Sequence, residues 1–246
     1  MRKSIVLAAD NAYLVQLETT IKSILCHNTE VDFYILNSDI APEWFKLLGK
    51  KMEVVSSTIR NVHLDKELFE GYKTGPHINY TSYFRFLTTE VVESERVLYL
   101  DSDIIVTRDL SPLFEMNLKG YYLGAVDDIY AYEGRISGFN AGVLLMDAAK
   151  WKDNLIVNSL LELAAEQNQT VRLADQSILN IYFENKWLRL EETYNFMVGV
   201  DTFSLGKKYE RLEDCPPAIV HFASHDKPWN TYSISRLREL WWAYRD

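Results

Sequence analysis

Two aspartates one residue apart, Asp101 and Asp103, end the first apolar run of "RVLYLDSDIIV" (96–106) before the chain turns apolar again. Like charges held that close repel, and each loses hydration when it is drawn toward a core. Such a pair calls for a positive partner, and carboxylate oxygens suit a hard divalent cation. A charged turn after a strand is the ordinary account of an arbitrary D-x-D. The apolar runs on both sides bury this one and favour the cation.

The elements that must position the pair follow from periodicity. "SIVLAA" (4–9) and "VDFYIL" (31–36) read as strands separated by a helical pattern over 13–25, a βαβ opening. "APEWFKLLGK" has a proline placed for a helix first turn, and "MEVVS" (52–56) reads as the next strand. A helix is expected over 80–92, leading into the strand that ends at Asp101. Further strands are expected at 121–128, 140–147 and 218–223, and helices at 148–167 and 174–185. Alternation of this kind predicts an α/β fold, a mainly parallel central sheet covered by helices. In open sheets of that type ligands sit beyond the carboxyl ends of the strands, where "VLYL" delivers Asp101 and Asp103. No repeat or linker interrupts the pattern, so one domain is expected over 1–246, with a helix at about 230–246 that could join a further domain.

Composition narrows the function. A net charge of −9 argues against a nucleic-acid surface, although a local metal or lysine can still hold a negatively charged small ligand. No stretch approaches the ~20 apolar residues of a membrane span. The two cysteines, Cys26 and Cys215, are far apart and lack metal-ligand spacing, which fits a reducing, cytoplasmic compartment. Trp241 and Trp242 near the end are apolar for a surface helix. They suggest contact with a partner domain or with the inner face of a membrane.

"LYLDSDIIV" resembles the metal-binding D-x-D segment of glycosyltransferase family 8, whose members are retaining enzymes that use UDP-sugars. "LAADNAYL", "SYFRFL", "FNAGVLLM", "ADQSILN" and "VHFASHDKPW" resemble other segments of that family and occur in its order. The resemblance implies a single Rossmann-like domain of the GT-A type. It implies a donor, UDP-galactose or UDP-glucose, and an acceptor that is a glycan or a glycosylated protein. Asp101, Asp103 and His221 become the metal ligands, and a nitrogen among them favours Mn²⁺, with Mg²⁺ the alternative.

Around the nucleotide the same resemblance puts Ala8, Ala9, Asp10, Asn11, Tyr13 and Ser102. Asp10 and Asn11 can meet a base edge and Tyr13 its face, while Asp or Asn there would also cap the following helix. His77, Ile78, Ser224 and Lys227 fall near the diphosphate. Arg85, Asn140, Ala141, Asp175 and Gln176 fall on the donor sugar, which charge-assisted hydrogen bonds can orient. Gln176, Asp175 and Asp128 fall at the reacting carbon, with Asp127 the competing choice for the last. Gln176 is a poor nucleophile, so front-side attack is expected rather than double displacement. Two rivals remain: a metal-dependent phosphohydrolase, whose D-x-D lies nearer the start of its domain, and a nucleotide-sugar-binding protein without turnover.

Overall fold

Strand-forming runs bounded by polar residues set the frame, in a computed structural model that describes residues 2–72, 80–128, 138–167, 169–198 and 217–246. β1 (Lys3–Ala8), α1 (Leu14–His27) and β2 (Val31–Asn37) make the expected opening, followed by α2 (Pro42–Met52) with its proline in the first turn. Then come β3 (Thr58–His63), β4 (Arg96–Leu100), β5 (Ile104–Val106), α3 (Ser111–Phe114) and β6 (Leu123–Ala125). The chain continues with β7 (Val143–Asp147), α4 (Ala148–Asp153), α5 (Ile156–Gln167), α6 (Ala174–Tyr182) and β8 (Trp187–Arg189). β9 (Phe196–Met197), β10 (Ile219–His221) and α7 (Arg238–Arg245) complete it.

The seven-stranded sheet has the order β3-β2-β1-β4-β7-β6-β8. β3, β2, β1 and β4 pair in parallel, as do β6 and β8, and only β7 runs against its neighbours β4 and β6. The expectation of a mainly parallel α/β sheet is met. Both faces are covered, and alternate residues of one strand serve separate cores: Leu98 and Leu100 of β4 pack on one side, Val97 and Tyr99 on the other. A second sheet, β5-β10-β9, joins α7 in a smaller cluster of Ile105, Phe196, Val220, Phe222 and Trp241.

Four elements depart from the sequence reading, and one is the C-terminal helix expected at about 230–246, which is α7 over Arg238–Arg245 alone. Residues 52–56 are not a strand: Met52 ends α2 with its side chain buried, a 3₁₀ turn follows, and Ser56 is left-handed at φ 52°. The strand is β3, whose polar "TIRNVH" hides it because it pairs on one side only, with β2. The stretch over 80–92 is a 3₁₀ helix of Tyr80–Leu87, not an α-helix to 92. The helix over 148–167 is two, broken where Leu155 turns left-handed at φ 50° and Asn154 Nδ2 bonds the Lys150 carbonyl.

Among the described residues no helix is long and apolar enough to cross a membrane. Trp241 is buried on Trp229, and α7 is tied to α1 by Lys22 Nζ on the Arg245 carbonyl at 2.7 Å and by His27 against Tyr244 at 2.8 Å. Much of the apolar ending is thus absorbed by the fold. Tyr232, Ile234 and part of Trp242 remain outward.

Candidate functional site

A cavity of about 900 Å³ opens beyond the carboxyl ends of β1 and β4. The turn carrying Asp101 and Asp103 is fixed from below. Ser102 Oγ donates to the Ala8 carbonyl at 3.0 Å, and the hydroxyl of Thr20, wholly buried in α1, reaches the carbonyls of Ser102 and Ile104 at 3.0 and 2.8 Å. Across the β4–β7 pairing Asp101 N–H donates to the Gly142 carbonyl at 2.9 Å. His221 arrives at the end of β10, where Phe222 N–H binds the Asp103 carbonyl at 3.1 Å.

Asp101, Asp103 and His221 come together as expected, their ligand atoms all within 4.8 Å of one another. His221 Nε2 stands 3.3 Å from Asp103 Oδ1 and 3.9 Å from Asp101 Oδ2. Three features suit a cation. Asp103 Oδ1 is buried with no hydrogen-bond donor among the described residues, a costly state for a carboxylate oxygen. Lys227 Nζ already balances the other oxygen, Oδ2, at 2.6 Å, and also meets the Phe222 carbonyl at 2.7 Å. Gly142 leaves the room: a Cβ there would lie 2.3 Å from His221 Cε1 and 2.8 Å from Asp101 Oδ2. Burial alone would raise the Asp103 carboxyl, but the Lys227 ammonium, together with His221, outweighs it and holds the group well below the usual carboxylate range.

The residues expected at the donor sugar form a second group, bonded to one another and to the backbone. Arg85 comes from the 3₁₀ helix and is buried under Tyr99, its guanidinium 4.9 Å from the ring centre. It binds Asp175 Oδ2 at 2.8 Å, Asp101 Oδ1 at 3.0 Å and the Ala141 carbonyl at 2.6 Å. Burial disfavours its charge, yet Asp101 and Asp175 outweigh burial and raise its pKa further. Asp175 sits in the first turn of α6 rather than at its cap. Burial pushes its carboxyl up to about 6, opposed by Arg85 and reinforced by the charge of Asp101. Gln176 Oε1 accepts from Ala141 N–H at 3.0 Å and from Asn140 Nδ2 at 3.3 Å, and its Nε2 donates to Asp128 Oδ2 at 2.8 Å. Of the neighbouring aspartates, Asp128 lines the cavity, whereas Asp127 pairs with the exposed Arg189 at 2.9 Å.

At the other end of the cavity Ala8, Ala9, Asp10, Tyr13, Ser102, Ser224 and Lys227 line its wall. Asp10 also serves as the cap that its residue type allows, accepting from Tyr13 N–H at 3.1 Å. Tyr13 meets Trp229 edge to face at 5.8 Å. Asn11 is exposed, with its N–H on Asp39 Oδ1 at 2.9 Å. Ala141 is buried and its backbone is committed to Gln176 and Arg85. His77 and Ile78 lie outside the described residues.

Sequence reasoning missed Tyr99, Gly142 and Asn195. Tyr99 donates to Asp101 Oδ1 at 2.9 Å, and its position two residues before Asp101 in an alternating strand was the available signal. Gly142 and the fully buried Asn195, 2.9 Å from His221 Nδ1, acquire their meaning only from a histidine distant in sequence.

A family model, glycosyl transferase family 8, matches residues 4–233. Glycosyltransferase GlyF of Streptococcus pneumoniae TIGR4 is 78% identical over all of this chain and 62% of its own length, so the chain spans about three fifths of that relative. The apo-form crystal structure of GlyE from the same organism superposes with a TM-score of 0.84 at 37% identity, covering 100% of this chain and 60% of GlyE. The galactosyltransferase LgtC, crystallised with donor and acceptor sugar analogues, superposes with a TM-score of 0.85 at 26% identity, over 98% of this chain and 95% of LgtC. With the family model spanning nearly the whole chain and its D-x-D turn and late histidine meeting at one cavity, this chain belongs to glycosyltransferase family 8.

Proposed function

We propose that the chain is a single-domain catalytic unit that transfers a hexose, galactose or glucose, from a UDP-sugar to a glycan or glycosylated-protein acceptor with retention of configuration. The observation that carries this reading is the meeting, in one cavity, of the Asp101–Asp103–His221 set with the Gln176–Asp128 pair. The likeness to LgtC, a galactosyltransferase solved with donor and acceptor analogues, supports sugar transfer.

Asp101, Asp103 and His221 would hold the divalent cation, Mn²⁺ in preference to Mg²⁺ because of the nitrogen ligand. Such an ion, once bound, offsets the charge that builds on the departing nucleotide. Uridine would lie along Ala8, Ala9, Asp10, Asn11 and Ser102, its base against Tyr13. Lys227 would release Asp103 for the cation and meet the diphosphate, near Ser224, His77 and Ile78. Arg85 has five N–H donors, of which one on each terminal nitrogen is left over from its contacts to Ala141 and Asp101. Those remaining donors and Asp175 would grip the sugar hydroxyls beside Asn140 and Ala141.

Double displacement needs a carboxylate beneath the anomeric carbon, where the family resemblance puts Gln176, a poor nucleophile. Asp175 is held by Arg85, and Asp128 receives the Gln176 amide. The acceptor oxygen therefore attacks from the face the diphosphate leaves, through an oxocarbenium-like state. The sugar–phosphate bond breaks on that face as the new one forms, and the acceptor proton passes to the departing phosphate oxygen. The carbonyl dipole of Gln176, locked by Ala141 and Asn140, assists that state. Exposed Cys26 is a free thiol, in keeping with a reducing, cytoplasmic setting. Outward Tyr232, Ile234 and Trp242 suit contact of the C-terminal region with a partner domain or the inner membrane face.

Radiolabelled UDP-galactose and UDP-glucose with Mn²⁺ test this function. Labelled hexose and UDP should appear together and stop with chelator. Release of inorganic phosphate instead would favour the phosphohydrolase reading, and donor binding without turnover the binding-protein one. A sugar trapped covalently on Asp175 or Asp128 would overturn front-side attack.

A further inference from the structure

Asn195 follows a 3₁₀ turn ahead of β9 and is wholly buried, so both ends of its amide must find partners inside the protein. Its Oδ1 lies 2.9 Å from His221 Nδ1, and its Nδ2 lies 2.9 Å from Asn140 Oδ1. Backbone groups fix which atom is which. Gly142 N–H donates to Asn140 Oδ1 at 3.0 Å, so that atom is an oxygen and the Asn195 atom facing it is the amide nitrogen. The Asn195 oxygen is left facing His221, whose Nδ1 must then carry the ring proton. In the neutral ring Nε2 is then the lone pair, aimed at Asp101 and Asp103. Ala141 N–H likewise fixes the oxygen of Gln176, which turns the Gln176 amide nitrogen onto Asp128 at 2.8 Å.

All donors therefore run one way: His221 to Asn195, Asn195 to Asn140, Asn140 to Gln176, Gln176 to Asp128. Reversing the imidazole tautomer would set the Asn195 oxygen against either the bare Nδ1 or the Asn140 oxygen. We propose that Asn195 is a positioning residue that holds His221 as an Nε2 ligand and, through Asn140, sets the Gln176 amide, so that one buried side chain couples the metal side of the cavity to its sugar side. The proposal rests on the reading of His221 as a ligand and of Gln176 as acting at the reacting carbon.

Two substitutions separate the two ends of the amide. Asn195→Asp keeps an acceptor for Nδ1 but has nothing to donate to Asn140. Asn195→Ala removes both. Mn²⁺ affinity, read by electron paramagnetic resonance, should stay within about threefold of wild type in the Asp variant and fall ~10–100-fold in the Ala variant, the usual effect of losing a partner behind a metal-binding histidine. Turnover of UDP-sugar at saturating Mn²⁺ should fall roughly tenfold or more in the Asp variant, in kcat rather than KM. An Asp variant with wild-type kcat, or one as poor in Mn²⁺ binding as Ala, would overturn the proposal. ¹⁵N NMR of metal-free wild type at about pH 9, where an imidazole is neutral, gives an independent decision that needs no variant to fold: the Nδ1–H tautomer is expected at His221, and the Nε2–H tautomer would contradict it. Wild type that bound no Mn²⁺ would defeat the metal reading instead, while the tautomer would still decide the role of Asn195.

Discussion

The two sides of the cavity are built to opposite rules. On the metal side, Asp101, Asp103 and His221 converge with a buried carboxylate oxygen that has no donor among the described residues, and Lys227 is folded onto the one beside it. On the sugar side, Arg85, Asp175, Asn140, Gln176 and Asp128 are bonded to one another and to the backbone. The first arrangement leaves room and an oxygen for a cation. The second is braced by its own bonds before any ligand arrives, and so holds its polar groups in place at no cost at the moment of reaction. Substitutions on the metal side should therefore act on ligand binding, and those on the sugar side on turnover.

The sharpest break of that contrast is Asp103→Asn. It keeps the shape but removes a ligand charge, so Mn²⁺ affinity and activity should drop by more than the ~100-fold that an outer partner is worth, with circular dichroism unchanged. Retained turnover in excess chelator would show that the side is not a metal site. Gln176→Ala, on the other side, should lower kcat by roughly 10²-fold with little change in KM or in Mn²⁺ affinity. A change confined to KM would make the residue a binding group and dissolve the contrast. Gly142→Ala is milder: its new Cβ, 2.3 Å from the His221 ring, should displace the ring and weaken Mn²⁺ by ~10-fold in a calorimetric titration. UDP at a hundredfold excess over its Kd should then add ~2.7 kcal/mol of stability in Mn²⁺, seen as a higher Tm, and much less in chelator. Equal shifts with ADP would remove the uridine assignment.

The smallest effect concerns pH. Asp175 has a folded-state pKa of about 6, above the ordinary carboxylate value of ~3.9. Its contribution to stability is thus fully present below about pH 4 and lost as pH rises through about 6. Asp175→Asn should lack that decline, so a series of Tm values over this window should be flatter in the variant than in wild type.

What the sequence disclosed follows the same division. Charged residues with short-range context were legible: Asp101 and Asp103 sit in an apolar strand end, and β1, β2 and β4 announce themselves as apolar runs because they are buried on both faces. β3 was misplaced onto "MEVVS" because an edge strand need not be apolar, while the end of an amphipathic helix can be. The break at Leu155 was hidden, since a leucine in the left-handed region carries no compositional mark. Asn195 and Gly142 were invisible for a different reason. An uncharged amide in a loop and a glycine before a strand have no role until His221, brought by β10, lands against them.

The central claim is metal-dependent transfer from a UDP-sugar with retention, and proton NMR of the first turnover tests it most directly. UDP-galactose and UDP-glucose are each given to the protein with Mn²⁺, and the anomeric signal of the released or transferred hexose is followed before mutarotation. One of the two donors should yield UDP and a sugar of the donor's own configuration, and chelator should abolish the signal. An inverted anomer, or undiminished turnover in chelator, would contradict the account.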